Sequence, residues 1–136
     1  MRILLAIIFV LQCSCDDSHI TANVPKPEDF HPLLLQELKD FFESKVGTCN
    51  IKYDLLREHP TQVGVAYPKY YLWVTVTQKD GFVISGAARV AAMKRKRFRI
   101  TNFLNTTEMA ADVDLAGTIF PDALIPAIKQ RAGITR

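Results

Sequence analysis

Residues 70–104 read YYLWVTVTQKDGFVISGAARVAAMKRKRFRITNFL, and how this stretch pairs with itself decides the fold. Three runs rich in β-branched and aromatic residues, YYLWVTVTQ, FVISGAARVAAM and RFRITNFL, are separated by two short polar segments. Such runs predict three successive antiparallel strands. The first turn centres on Lys79-Asp80-Gly81. A two-residue loop at Asp80-Gly81 is the obvious choice for that dipeptide. It would set Arg89 beside Leu72, because a one-residue slip sends every side chain to the opposite face. A three-residue loop, with Gly81 left-handed, instead pairs Val76 with Ile84, Val74 with Gly86, Leu72 with Ala88 and Tyr70 with Val90. That makes one apolar face, and the three-residue loop is the one expected.

The second turn lies within Lys94-Arg95-Lys96. Pairing Ala92 with Phe98 and Val90 with Ile100 extends the same apolar face. The other face then collects Tyr71, Trp73, Thr75, Thr77, Val83, Ser85, Ala87 and Arg89. Arg97, Arg99, Thr101 and Phe103 are expected to join it.

Upstream, Pro32 to Val46 carries Leu34, Leu35, Leu38, Phe41, Phe42 and Val46 at helical spacing, with polar residues on the other side. A helix from Pro32, closed by Gly47, is expected to lie on the apolar sheet face. Cys49, Ile51, Tyr53 and Leu55 alternate with polar residues as in a strand. Gln62 to Ala66 is a short strand or a loop. Downstream, Asn105-Thr106-Thr107-Glu108 is a capping-box sequence predicting a short helix to about Ala111. Pro121 opens a final helix with Phe120, Leu124, Ala127, Ile128 and Arg131 on one face, ended by Gly133.

The expected fold class is therefore α+β. One long helix packs on a curved antiparallel meander of about four strands, followed by short C-terminal helices. This order resembles the cystatin-like outline, in which a helix lies across an antiparallel sheet. Gln62-Val63-Gly64-Val65-Ala66 falls near where cystatins carry Gln-x-Val-x-Gly, but the third and fifth positions disagree and no Pro-Trp second hairpin is present. The resemblance therefore implies the fold and not protease inhibition. The NTF2-like fold is related in outline but wants more helix before the sheet.

Residues 1–15 read as a targeting segment. Arg2 precedes Ile3 to Leu11, an unbroken apolar run of nine residues, which fits a signal h-region and is shorter than the ~20 residues a bilayer span needs. Two kinds of processing are open. Small residues at Cys13 and Cys15 suit signal peptidase, which would release a soluble chain. A cysteine just after a short h-region resembles the lipobox of bacterial lipoproteins, which implies acylation at Cys15 (or Cys13). Ser14 fits that pattern and Gln12 departs from it. Export to the periplasm or outside, anchored or secreted, is the expected localisation. Residues 16–27, polar with Pro25 and Pro27, read as a flexible tether, and 28–136 as a single domain. Loss of the segment removes only Arg2 among the charged residues, lowering the formal charge from +3 to +2. With Cys13 and Cys15 gone, Cys49 alone remains and the core must hold the domain.

Two surfaces are candidates for function. Lys94, Arg95, Lys96, Arg97 and Arg99 place five cations within six residues. They suit an anionic membrane surface, or they simply solubilise a hairpin tip and discourage edge pairing. Export disfavours nucleic acid as the partner. On the second sheet face, Tyr71 and Trp73 with Arg89 and Arg99 suit an anionic, peptidic or sugar-like ligand, unless the C-terminal helices cover that face. No catalytic residue is assigned. Cys49 with His31 or His59 can be written as a thiol–imidazole pair, but a lone cysteine alternating with apolar residues is usually a small core residue. His19, His31 and His59 lack metal-ligand spacing, and no phosphate loop, serine elbow or carboxylate pair stands out. No cofactor is implied. The expected function is a binding or assembly module of the cell envelope that holds a protein or peptide partner. The alternative is a small-molecule or enzymatic domain with a pocket between sheet and helices. A deep cavity lined by Trp73, Arg89 and a titratable partner would favour the alternative, and a filled core with a flat basic surface the first.

Overall fold

The computed structural model describes residues 18–134, so the segment 1–15 and its Cys15 lie outside the described residues. The elements are α1 (Ser18–Asn23), α2 (Pro27–Val46), β1 (Cys49–Leu55), β2 (Lys69–Gln78), β3 (Val83–Met93), β4 (Arg97–Asn105), α3 (Thr106–Ala111), two 3-10 turns (Leu115–Thr118 and Asp122–Leu124) and α4 (Ile125–Arg131). The strands form one antiparallel sheet in the order β1-β2-β3-β4. The fold is α+β, with one long helix, a four-stranded sheet and short C-terminal helices.

The first hairpin has the expected register. Tyr70 pairs with Val90, Leu72 with Ala88, Val74 with Gly86 and Val76 with Ile84. The Gln78 N–H donates to the Phe82 carbonyl at 2.8 Å and the Gly81 N–H to the Gln78 carbonyl at 2.9 Å, enclosing a three-residue loop. Gly81 has φ +89°, a conformation that costs other residues about 1–2 kcal/mol. Gly86 is needed for a different reason: a Cβ there would overlap the Leu104 carbonyl oxygen on β4.

The second hairpin starts in the expected register, Ala92 with Phe98 and Val90 with Ile100, and then departs from it. Arg89 pairs with Asn102, so Thr101 is an extra residue in β4, a β-bulge. Past the bulge the faces exchange. Phe103 opposes Ala88 and packs in the core under α2, its ring 4.9 Å from that of Phe42, rather than joining the second face. Leu104 takes the second face instead.

α2 begins at Pro27, five residues before the expected start, and Pro32 lies inside it. Pro27 occupies the first turn, where no N–H is needed, with Glu28 and Asp29 complementing the helix dipole. The missing N–H of Pro32 leaves only the carbonyl of exposed Glu28 unpaired in the helix, where water can serve it. The added turn brings Phe30 edge-on to Tyr70 and Phe98, 5.0 Å from each. Leu34, Leu38 and Phe42, spaced four apart, are buried against Leu72, Val74, Val76, Val90 and Phe98. Phe41 is only half-buried, with the Lys45 ammonium 4.8 Å from its ring.

A second core fills the other face. Tyr71, Trp73, Ala87 and Leu104 from the sheet pack with Met109, Ala116, Phe120, Leu124 and Ile128. Asn105 caps α3 with the full capping box: its side chain accepts from the Glu108 N–H, and Glu108 reaches back to the Asn105 N–H. An ion pair from Arg131 to Asp54 at 3.0 Å ties α4 to β1.

Candidate functional site

The basic turn joins β3 to β4. Lys94, Arg95, Lys96, Arg97 and Arg99 are all exposed. Lys94 and Arg95 have φ +53° and +62°, left-handed at two consecutive non-glycine residues. A type I′ turn requires this, and it usually selects Gly or Asn because side chains are strained there by about 1–3 kcal/mol each.

The strain is held from outside the hairpin. The Lys94 N–H donates to the Asn23 side-chain oxygen at 3.1 Å, and the Arg95 N–H to the Asn23 carbonyl at 2.8 Å. Asn23 in turn donates from Nδ2 to the His19 carbonyl at 2.8 Å. Among the described residues it is the polar side chain that is buried as a whole, 7% exposed. Both left-handed N–H groups are thus satisfied by one residue of α1. Within the stretch 16–27 read as a tether, Ser18–Asn23 is helix and Pro25 is buried. A six-residue helix has little stability of its own, so α1 and the turn support each other.

On its other side α1 meets the Gln62–Ala66 segment, which is a loop. His19 Nε2 lies 3.0 Å from the Val65 carbonyl. The Gln62 amide donates to the Gly64 and Ala66 carbonyls at 2.9 and 2.6 Å, and the Ala66 N–H to the Val63 carbonyl at 3.1 Å. The loop is closed on itself and presents Val63 at 78% and Val65 at 90% exposure. A bridge between Thr61 and Lys69, and the Ala92 N–H donating to the Pro68 carbonyl, fix it at the end of the sheet that carries the basic turn.

The second expected site does not assemble. Tyr71 and Trp73 are 5% and 7% exposed, within the core built by the C-terminal elements. The Tyr71 hydroxyl is bonded to Thr61 Oγ1 at 2.6 Å. Their rings are closed to a stacking ligand, because the apolar residues of the tail needed a face to bury against. Arg89 is committed to the bulge: its Nε donates to Thr101 Oγ1 at 3.0 Å, and that hydroxyl donates to the Arg89 carbonyl at 3.1 Å. Arg99 is exposed on β4.

A groove of about 330 Å3 opens between the C-terminal half of α2, β3, β4 and α3, lined by Phe41, Phe42, Val46, Ile84, Ile100 and Phe103 with Lys45 and Glu108 at hand. Asn102 also lines it, and its Oδ1 is buried without a hydrogen-bond partner among the described residues. Trp73 and Arg89 are not part of it. Cys49 is half-buried at the edge of the first core, and burial, then the nearby Glu43, push its thiol up, away from the thiolate a nucleophile needs. His31 Nδ1 faces the Tyr53 hydroxyl at 2.7 Å. Among the described residues no cluster of three or more His, Cys, Asp or Glu could hold a metal ion, and no helix is long and apolar enough to cross a membrane.

Asn23 and His19 were missed in the sequence. They sit in a polar segment with no periodicity, and nothing local links Asn23 to a turn 71 positions away. No protein-family model matches the chain, and neither the curated proteins nor the solved structures yield a match.

Proposed function

We propose that this chain is an exported binding or assembly module of the cell envelope that is held at an anionic surface by its β3–β4 turn. One observation carries the reading: Lys94 and Arg95 occupy strained left-handed backbone that Asn23 holds in place. A solubilising tip needs no fixed geometry, and a glycine would relieve the strain. Retained strain under external support is a mark of functional positions. Export and the choice between acylation at Cys15 and release rest on the Ile3–Leu11 run and the cysteine that follows it.

The test uses the chain without residues 1–15 and vesicles of anionic or neutral lipid. Replacing Lys94, Arg95 and Lys96 with Gln should weaken adsorption to anionic vesicles by about 1 kcal/mol per charge, with salt erasing the difference. A wild-type chain that does not adsorb at physiological ionic strength would remove the proposal. Intact mass and membrane fractionation of the native protein, with Cys15→Ser beside it, decide the anchor: an unchanged membrane fraction with no acyl mass ends the lipoprotein reading.

A second reading is favoured by the groove at the C-terminal half of α2. Its volume is at the small end for ligand sites, and it joins a mainly apolar lining to the charged ends of Lys45 and Glu108. It would hold a small amphipathic molecule. Ile100→Trp should fill it and abolish uptake of a solvatochromic apolar dye; dye uptake unchanged by that substitution would remove this reading.

A further inference from the structure

We infer that the end of the molecule formed by α1, the Gln62–Ala66 loop and the β3–β4 turn docks on an anionic phospholipid bilayer, with Val63 and Val65 entering the headgroup layer while Lys94, Arg95 and Lys96 meet lipid phosphates. This rests on the anionic-surface reading and adds to it an apolar component and an orientation.

Three observations converge. The first is the pair of valines. Among the described residues they are the most exposed of the large apolar ones, and the Gln62 amide holds the loop that presents them. Apolar side chains fixed outward on a closed loop gain by leaving water.

The second is charge. The segments that make up this end, 18–26, 60–69 and 93–99, contain no Asp or Glu, yet contribute Lys26, Lys69, Lys94, Arg95, Lys96, Arg97 and Arg99. Apolar tips beside a strongly basic turn complement an anionic lipid surface, because the cations meet phosphates while the tips enter the interface. The nearest carboxylates offset only part of that charge, Glu37 on α2 facing Arg97 and Arg99 and Asp16-Asp17 preceding Ser18. The opposite end is the internal contrast. Phe82 and Val83 are also exposed there, at 62% and 52%, but they adjoin Lys79 and Asp80, whose charges cancel. β3 spans eleven residues between the two ends, roughly 33 Å, so one end can face a bilayer while the other stays in water.

The third is the path of the chain. α1 touches both the valine loop through His19 and the basic turn through Asn23. The helix is described from Ser18, so two residues, Asp16 and Asp17, separate Cys15 from the docking end, three Cα–Cα steps with a reach of no more than about 11 Å. An acyl chain on Cys15 would hold this same end against the membrane.

The experiment uses the full chain with a tryptophan reporter at Val65→Trp, at Val63→Trp, or at Phe82→Trp on the far end. Vesicles of phosphatidylglycerol or phosphatidylcholine carry brominated acyl chains, which quench only inserted indoles. Trp73 is buried in all variants and gives a constant background. With phosphatidylglycerol, the emission of the Val65→Trp and Val63→Trp reporters above the Trp73 background should be quenched at least about twofold, and that of the Phe82→Trp reporter should be unquenched. Val63→Ser combined with Val65→Ser should lower the partition coefficient roughly tenfold. Gln at Lys94, Arg95 and Lys96 should lower it roughly a hundredfold at low salt.

Chain that sediments with the vesicles while the loop tryptophans stay unquenched would overturn the insertion and leave the electrostatic reading standing. Equal quenching on phosphatidylcholine would overturn the role of the basic turn, and quenching of Phe82→Trp would show that the wrong end was chosen. A wild-type chain that fails to sediment with phosphatidylglycerol vesicles overturns both readings together.

Discussion

The two hairpin turns of the sheet lie at opposite ends of β3 and are stabilised in opposite ways. The β2–β3 turn is self-sufficient. Its left-handed position is Gly81, its closing hydrogen bonds are local, and Asp80 Oδ1 accepts from the Phe82 N–H at 3.0 Å. The β3–β4 turn puts Lys94 and Arg95 where glycine belongs and depends on Asn23, 71 positions upstream, to satisfy their N–H groups. One turn is written into its own residues; the other exists because a separate helix docks on it. A position that spends stability in this way is a reasonable place to look for function.

The largest expected effect is that of removing the outside support. Asn23→Ala leaves the Lys94 N–H without its acceptor and should destabilise the fold by about 2–3 kcal/mol, read as a fall in the urea midpoint at unchanged m-value. A loss below about 0.5 kcal/mol would mean that the basic turn stands alone, and the contrast between the turns would fail.

Next comes the turn that supplies its own geometry. Gly81→Ala forces a side chain into φ +89° and should cost about 1–2 kcal/mol, although open space surrounds the site. Arg95→Gly should do the reverse, because glycine accepts the left-handed conformation; a gain of up to about 1 kcal/mol is expected, less the entropy that glycine adds to the unfolded chain. Opposite signs at the two positions sharpen the comparison, and equal losses would break it. Combined with Arg95→Gly, Asn23→Ala should cost less than it does alone, giving a coupling of about 0.5 kcal/mol or more in a double-mutant cycle.

The smallest effect belongs to the local support of the first turn. Asp80→Ala removes one exposed hydrogen bond and should cost about 0.5–1 kcal/mol. It should leave vesicle binding unchanged or slightly stronger, since it removes a carboxylate at the far end.

The two sheet faces show how far pattern alone reaches. The face under α2 was legible because large apolar residues alternate along β2 and recur along α2, so both periodicities name one surface. On the second face Tyr71 and Trp73 stand among Thr75, Ser85 and Arg89, and the sequence reads as a half-polar, ligand-ready surface. Covering it takes Met109, Ala116, Phe120, Leu124 and Ile128, which sit on separate short elements that no single period connects. The candidate ligand site dissolved for that reason, and Arg89 proved to be tied to the bulge at Thr101.

The sequence by itself determined the strands, the places where the two turns fall, the three-residue loop at Lys79–Gly81, the capping box at Asn105 and most of the first core. Each rests on spacing within a few residues or on register fixed by alternation, and such information is local. Only the tertiary structure decided the bulge that sends Phe103 under α2, the burial of Tyr71 and Trp73, and the role of α1. A bulge changes no residue type, so its effect on facing cannot be seen in alternation. α1 has too few residues and too little periodicity to stand alone; it is a helix because the strained N–H groups of Lys94 and Arg95 and the carbonyl of Val65 are placed where Asn23 and His19 can meet them.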